Sequence, residues 1–246
     1  MACTLTPIRW SSMDPVQRES DVANFLETIQ GRADSVLIGG YAVSAYGPPR
    51  FSADVDIVLA QSEFGPVRRW LSEEGFSARI SMGSEIDPDA LRKLRAVRGD
   101  VSSDLYFGGV RARESGAEVP YDWLEERPRS MRLRLRTLTT RKEIRVVRPE
   151  ALWVLKLIAG RSQDISDLFA IREQPIAADD VTDMLASLAT PSLQSTFDRV
   201  SRLLDSSVLY SDSLSRWGLG SPDLPRNRAE WRAFKERAAT FLSPKK

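Results

Sequence analysis

The sequence contains no histidine, a single cysteine (Cys3) and no apolar run long enough to cross a membrane. The lack of histidine excludes Ser-His-Asp and Cys-His catalytic triads, histidine general bases and most zinc sites. One cysteine excludes an internal disulfide and a cysteine-rich metal site. The first ten residues, MACTLTPIRW, lack the basic start and apolar stretch of a secretory signal, so a cytoplasmic protein without a membrane partner is expected. Any catalysis must use carboxylates, Lys, Arg, Ser, Thr or Tyr.

The composition is that of an ordinary globular protein, with 246 residues, 42% hydrophobic and 28% charged. The formal net charge is +1, so the whole chain is not a polycation that binds nucleic acid through its global field. Short apolar strands are predicted to alternate with helices in the first part of the chain. From Pro149 onward the predicted secondary structure is mainly helical. We therefore predict an α/β (α+β) domain with a mixed sheet over residues 1–148, followed by a helical domain over 149–246.

Hydrophobic periodicity and turn residues predict the individual elements. In the first part, helices are predicted over 14–30, 41–46 and 63–74, and strands over 35–38, 55–59, 76–80, 103–107, 131–138 and 143–147. A run of Leu91, Leu94 and Val97 has helical spacing. In the second part, helices are predicted over 151–159, 165–172, 178–188, 193–204 and 228–242, with a loop over 211–227.

Two carboxylates lie two residues apart on a predicted strand, at Asp54 and Asp56, so both point to the same face. Such a pair is costly unless a positive charge lies beside it, and a divalent cation supplies one. Carboxylate ligands without histidine favour a hard ion, Mg²⁺ or Mn²⁺. Upstream, Gly39-Gly40 stands between a strand and a helix, where backbone amides can approach a phosphate.

The loop between these motifs carries Arg50 and Ser52, which could contact a triphosphate, since Arg suits paired oxygens. Each part alone has a simpler explanation: a lone D-x-D is usually a solvated surface, and a lone Gly-Gly is usually a turn. The combined order, strand, Gly-Gly, helix, R-x-S-x-D-x-D, strand, is far more specific than either part.

This block over residues 35–59 resembles the signature of the DNA polymerase beta-type nucleotidyltransferase superfamily. The resemblance implies a third carboxylate on a later strand, for which Asp104 is the best candidate and Asp100 the competitor. It also implies that Asp54, Asp56 and Asp104 hold the metal and that Asp104 helps to activate an attacking hydroxyl. In-line attack on the α-phosphorus of a nucleoside triphosphate would then release pyrophosphate.

A second motif, K-x4-R-x2-D-x2-D, consists of Lys156, Arg161, Asp164 and Asp167. A purely structural role is open: Asp164 could cap a helix, and Lys156 could extend from an apolar face. The motif is similar to the Lys-Arg-Asp-Asp motif of AbiEii-like proteins, the nucleotidyltransferase toxins of type IV toxin–antitoxin systems, and the resemblance covers about residues 33–172. It implies that Lys156 and Arg161 contact phosphates, that Asp164 or Asp167 supports the site, and that a cognate antitoxin is a possible partner.

Residues 127–148 contain nine Arg or Lys and one acid, Glu143. On the predicted strand, Arg132, Arg134 and Arg136 share a face and could contact RNA phosphates. The alternative is an edge strand kept from pairing by its charges. Three functions stay open: a toxin that transfers nucleotides to RNA such as tRNA, a transferase acting on a small molecule or protein side chain, and a non-catalytic nucleotide-binding protein.

Overall fold

A computed structural model describes residues 14–82, 91–171, 174–188, 190–216 and 224–242. Its centre is a seven-stranded sheet in the order β3-β4-β5-β2-β1-β9-β8, and a separate pair, β6 and β7, forms a small second sheet. The strands are β1 (Ser35–Ile38), β2 (Val55–Leu59), β3 (Ser77–Met82), β4 (Arg92–Arg98), β5 (Val101–Phe107), β6 (Gly109–Arg111), β7 (Glu118–Pro120), β8 (Arg129–Met131) and β9 (Ile144–Val146).

The large sheet is mixed, because β2 pairs with β5 and β1 with β9 in parallel, while the other neighbours are antiparallel. Four helices accompany the strands: α1 (Pro15–Gln30), α2 (Gly39–Tyr46), α3 (Phe64–Glu73) and α4 (Tyr121–Glu125). From Pro149 the described chain is helical: α5 (Pro149–Ala159), α6 (Ser162–Ala170), α7 (Ala178–Ser187), α8 (Leu193–Leu204), α9 (Ser207–Arg216) and α10 (Leu224–Leu242). The predicted fold class, a mixed sheet followed by a mainly helical region, is confirmed.

Local signals account well for the elements around the centre of the sheet. Helix α1 begins at Pro15, and the Asp14 side chain accepts a hydrogen bond from the Val16 amide at 2.9 Å. Strand β1 is buried along its whole length, as expected for an apolar run covered on both faces. Helix α5 ends at Gly160, whose φ of +60° is the left-handed conformation that glycine adopts easily.

The helix-like reading of Leu91, Leu94 and Val97 is wrong, because this segment forms strand β4. Leu94 and Ala96 are buried and alternate with the partly exposed Lys93 and Arg95, which is a two-residue period. Pairing on both sides, with β3 and β5, decides the conformation. Residues 83–90, which precede this strand, lie outside the described residues.

The strand predicted over 131–138 is also wrong beyond Met131. The chain turns back on itself, with the Leu135 amide donating to the Leu138 carbonyl at 2.8 Å and a single bridge between Arg134 and Thr139. The Glu19 carboxylate holds the turn by accepting hydrogen bonds from the backbone amides of Arg136 and Thr137. A long-range contact from α1 therefore overrides the alternating pattern.

The loop predicted over 211–227 is wrong at both ends. Residues 211–216 belong to α9 and 224–227 to α10, while 217–223 lie outside the described part of the chain. Ser213 is buried in α9 and its hydroxyl donates to the Leu209 carbonyl, so a serine-rich sequence is compatible with a packed helix here. None of the helices in the described ranges is long and apolar enough to cross a membrane. The division into domains at residue 148 stays a prediction.

Candidate active site

The carboxylates of Asp56 and Asp104 lie side by side on adjacent parallel strands. Asp56 of β2 is directly in register with Asp104 of β5, and paired residues of parallel strands point to the same face. Asp54 lies two residues before Asp56, just ahead of β2, and therefore shares this side. The structure thus brings together the three acids that the sequence singled out, and the competitor Asp100 lies in the turn before β5.

Two basic side chains of β4 that the sequence analysis missed contact these acids. The Arg95 guanidinium lies 2.7 Å from Oδ1 of Asp54 and 3.1 Å from Oδ1 of Asp104. The Lys93 ammonium lies 2.7 Å from Oδ2 of Asp104. The helical reading of this segment hid them; a two-residue period through Lys93 and Arg95 was the available signal.

Asp56 is in a different electrostatic situation from its neighbours. Burial raises the pKa of its carboxyl from 3.8 to about 7, and the charges of Asp104 and Asp54 add to the rise, while Lys156 and Lys93 oppose it. Asp56 is partly buried, and a partly buried carboxylate beside other carboxylates is disfavoured in its charged form. The positive charges of Lys156 and Lys93 therefore do not offset the burial of Asp56 and the charges of its acidic neighbours.

This shift predicts how the stability of the metal-free protein depends on pH. Between about pH 4 and about pH 7, folded Asp56 holds a proton that the unfolded chain releases, so the free energy of unfolding should fall as pH rises through this window. The chain has no histidine to mask the effect. Urea unfolding in EDTA at several pH values measures the slope, and Asp56→Asn should flatten it. Equal slopes in both proteins would contradict the shift.

The Gly39-Gly40 turn lies directly against the acidic residues. Gly39 has a φ of +67°, and a Cβ at this position would overlap the Asp56 carboxylate. A Cβ at Gly40 would overlap the Ser52 hydroxyl and lie 2.8 Å from an Arg50 guanidinium nitrogen. Both glycines are therefore needed for close approach. They begin α2, so the amides at this helix N-terminus lie beside the carboxylates and are available to an anion.

The loop that carries the acidic pair is held in place by Arg18 of α1, a third residue that the sequence analysis missed. Arg18 is 1% exposed and donates hydrogen bonds to the backbone carbonyls of Ser52 at 2.8 Å and Ala53 at 2.6 Å. It also donates to the Asp100 carbonyl and the Tyr41 hydroxyl. One side chain thus connects α1, α2, the loop before Asp54 and the turn before β5.

The second motif folds into a buried ion cluster at the junction of α5 and α6. The Lys156 ammonium donates to Asp164 at 2.9 Å and to Asp167 at 2.7 Å. Burial alone would lower the pKa of Lys156, but the charges of Asp167 and Asp164 raise it above its ordinary value. Asp164 is not the N-cap residue of α6, which is Arg161. As the third residue of α6, Asp164 accepts a hydrogen bond from the Arg161 backbone amide in a capping box. Lys156 is buried rather than extended into solvent.

Cations of this cluster interact electrostatically with the acidic residues that follow the Gly39-Gly40 turn, and one residue of that loop pairs with the cluster. Arg50, from the loop before Asp54, forms an ion pair with Asp167 at 2.8 Å. The pKa of Arg161 is raised, chiefly by its hydrogen bond to Asp164 and also by the charges of Asp164 and Asp56. Lys156 in turn lowers the pKa of Asp56. The side chain of Arg161 is 66% exposed, so its guanidinium is accessible beside the carboxylates.

The residue types fit a divalent cation, because three carboxylates supply hard oxygen ligands and the pKa of Asp56 stays raised despite the charges of Lys156 and Lys93. In the present arrangement, no three acidic side chains within the described residues are placed to hold a metal ion together. The Arg95 guanidinium contacts both Asp54 and Asp104 in this arrangement.

The predicted RNA contacts lie in the turn after β8. Arg132, Arg134 and Arg136 are exposed and alternate with the buried Leu133 and Leu135. The three arginines therefore point away from the core, although they are not on a strand. Their binding of RNA stays a prediction.

No protein-family model and no curated protein matches this chain. Two solved Helicobacter pylori structures are similar, a protein proposed to be a nucleotidyltransferase and JHP933. Each is 17% identical with a TM-score of 0.49, covering 94% of this chain and 97% and 95% of theirs. The antibiotic-resistance factor ANT(2'')-Ia is 16% identical in its solution structure, with a TM-score of 0.35, covering 92% of this chain and 95% of that one. At these identities and TM-scores the similarities do not decide the function, which must rest on the site itself.

Proposed function

We propose that this protein is a metal-dependent nucleotidyltransferase, which transfers a nucleoside monophosphate from a nucleoside triphosphate to an acceptor hydroxyl and releases pyrophosphate. The observation that carries the proposal is the register of Asp56 with Asp104, beside a Gly-Gly turn at a helix N-terminus. Carboxylates that hold a cation and amides that hold a phosphate are the two requirements of phosphoryl chemistry.

The residues have separable roles in this proposal. Asp54, Asp56 and Asp104 would hold Mg²⁺ or Mn²⁺, which when bound neutralises phosphate charge and polarises the α-phosphate. The amides of Gly39 and Gly40, the Ser52 hydroxyl and the guanidinium of Arg50 bind phosphate oxygens. The exposed guanidinium of Arg161 extends that anion-binding surface.

The transfer itself balances as one displacement. The acceptor oxygen forms a bond to the α-phosphorus while the bond to the pyrophosphate oxygen breaks, and the hydroxyl proton passes to the Asp104 carboxylate and then to solvent. Lys156, Asp164 and Asp167 support the site from their buried cluster. Because Arg50 pairs with Asp167, this cluster holds the proposed phosphate-binding side chain of Arg50 in position.

For the acceptor we infer RNA, with tRNA as the first candidate, and a toxin of the AbiEii type as the biological role. The exposed Arg132, Arg134 and Arg136 support an RNA partner, since clustered arginines bind phosphates through counterion release. Replacing all three by Gln should weaken tRNA binding and its salt dependence, whereas Arg68→Gln with Arg69→Gln, which removes two exposed charges on α3, is the control for lost charge elsewhere and should change tRNA binding less. If both variants bind tRNA like the wild type, this surface is not the RNA site.

An assay with labelled nucleotide tests whether the protein transfers nucleotides and which acceptor it uses. Purified protein is incubated with each of the four α-labelled nucleoside triphosphates, Mg²⁺ and total RNA, and label is followed into RNA, protein and small molecules. Label in RNA supports the full proposal. Label only in protein or small molecules supports nucleotide transfer but contradicts RNA as the acceptor. No transfer from any nucleotide, with nucleotide binding intact, would leave a non-catalytic binding protein.

The toxin role has its own test. Expression of the wild type should arrest growth, and expression of Asp56→Ala at the same protein level should not. A host that grows normally with abundant wild-type protein would contradict the toxin role, and with it the need for a cognate antitoxin, while leaving the transferase proposal intact.

A further inference from the structure

The Arg95 side chain occupies the position that a shared cation would take between two of the acidic residues. Strand β4 lies next to β5, and Arg95 is in register with Asp104 across the antiparallel pair. From there its two terminal nitrogens reach different carboxylates, that of Asp54 at 2.7 Å and that of Asp104 at 3.1 Å. The second oxygen of Asp104 is held by Lys93. Both oxygens of Asp104 and one of Asp54 are thus engaged by residues of the chain itself.

These contacts are of the kind that can exchange. The Arg95 side chain is 41% exposed and that of Asp54 is 30% exposed. The Arg95–Asp54 ion pair, at this exposure, contributes little net free energy, so a small competing gain can break it. The Asp104 side chain is 9% exposed, but it keeps Lys93 as a partner when Arg95 leaves. The long side chain can also turn its charged end into water without moving β4.

We propose that Arg95 is a displaceable counter-cation, which neutralises Asp54 and Asp104 in the metal-free protein and must leave both before a divalent cation binds. The inference rests on the proposed function in one respect, that these acids are the metal ligands. It adds that the chain carries its own competitor for that site. Arg95 therefore sets the affinity for the metal and keeps the acidic face stable without it.

Manganese alone tests this in the purified protein, with no nucleotide and no activity measurement. Free Mn²⁺ is followed by its electron paramagnetic resonance signal during titration of the wild type and of Arg95→Gln. We expect Arg95→Gln to bind Mn²⁺ about tenfold more tightly, since the ion no longer displaces a guanidinium from two carboxylates. Mn²⁺ should also raise the melting temperature of Arg95→Gln more than that of the wild type, because binding to the folded state stabilises it by mass action.

The control is Arg98→Gln on the same strand, which removes the same formal charge from a side chain that contacts Glu74 instead. Its Mn²⁺ affinity should equal that of the wild type. Arg95→Lys, which keeps the charge but cannot bridge two carboxylates in the same way, should fall between the wild type and Arg95→Gln, and it serves if Arg95→Gln does not fold.

The outcomes separate this inference from the proposed function. Equal or weaker Mn²⁺ binding in Arg95→Gln, with Mn²⁺ binding abolished by Asp56→Asn, overturns the role of Arg95 and keeps the metal site. A similar gain in Arg98→Gln also overturns it, because the effect would then be general charge. No Mn²⁺ binding to any of the proteins overturns both the metal site and its competitor.

Discussion

Asp56→Ala is expected to lower the rate of nucleotide transfer by at least about a thousandfold while the protein stays folded. Asp56 lies among the other functional groups: it is in register with Asp104, its carboxylate occupies the space that a Cβ at Gly39 would need, and the charge of Lys156 acts on its pKa. Its carboxylate has few other structural roles in the metal-free protein. Removing it therefore removes metal and phosphate positioning without breaking a structural ion pair.

The stability of the same variant makes the prediction sharper. Because the folded state disfavours the charged form of Asp56, Asp56→Ala should be at least as stable as the wild type at pH 8 in EDTA. Transfer is measured with α-labelled nucleotide, and stability by urea unfolding. Asp21→Ala, a change in a partly exposed acid of α1, is the control and should lower neither the transfer rate nor the stability. A variant that transfers nucleotide at the wild-type rate would remove Asp56 from the catalytic group.

Arg18→Met is expected to lower the free energy of unfolding by about 3 to 5 kcal/mol, although Arg18 touches none of the acidic side chains. The substitution leaves the carbonyls of Ala53 and Asp100 without the donor they have now, and leaves the Ser52 carbonyl with only the Tyr41 hydroxyl as donor. Unpaired buried carbonyls cost about 1 to 3 kcal/mol each, part of which water recovers where the loop is exposed. The guanidinium also packs over the Phe51 ring at 4.1 Å, and that contact is weakened too.

The control for Arg18→Met is Gln17→Met, one residue earlier on the exposed side of α1. Met, Gln and Arg have similar helix propensities, so neither change weakens the helix itself. Arg18→Lys keeps the charge, but an ammonium group cannot donate hydrogen bonds in the same directions as a guanidinium. We therefore expect an intermediate loss of unfolding free energy. Urea unfolding measures all three. Arg18→Met within about 0.5 kcal/mol of the wild type would show that the loop before Asp54 does not depend on this residue.

Much of the centre of the molecule could be predicted from local patterns. The strands 35–38 and 55–59 and the helix 193–204 have the predicted bounds. Each has a clear hydrophobic period or an uninterrupted apolar run between turn residues, and neighbouring elements do not contradict it. Strand β5 begins at Val101, two residues before the predicted strand 103–107, because Val101 and Ser102 pair with β4.

The failures share a cause, which is pairing or packing with residues far away in the chain. Strand β4 was obscured by a spacing of apolar residues that fits a helix, and only its two neighbouring strands select the extended form. The segment after Met131 alternates like a strand, but Glu19 from α1 binds its backbone in a turn. These errors also hid Arg95, because a residue on a supposed helix would not line a sheet face.

The sequence by itself determined the chemistry available to this protein: carboxylates without histidine, an Asp-x-Asp pair that must share a face, and a Gly-Gly turn ahead of a helix. These follow from residue type and from a two-residue period, which are local properties. Only the tertiary structure decided that Asp104 lies opposite Asp56, that Arg95 bridges Asp54 and Asp104, and that Arg18 holds the loop. Register between strands about fifty residues apart is set by burying the whole sheet at once, and no local pattern carries that information.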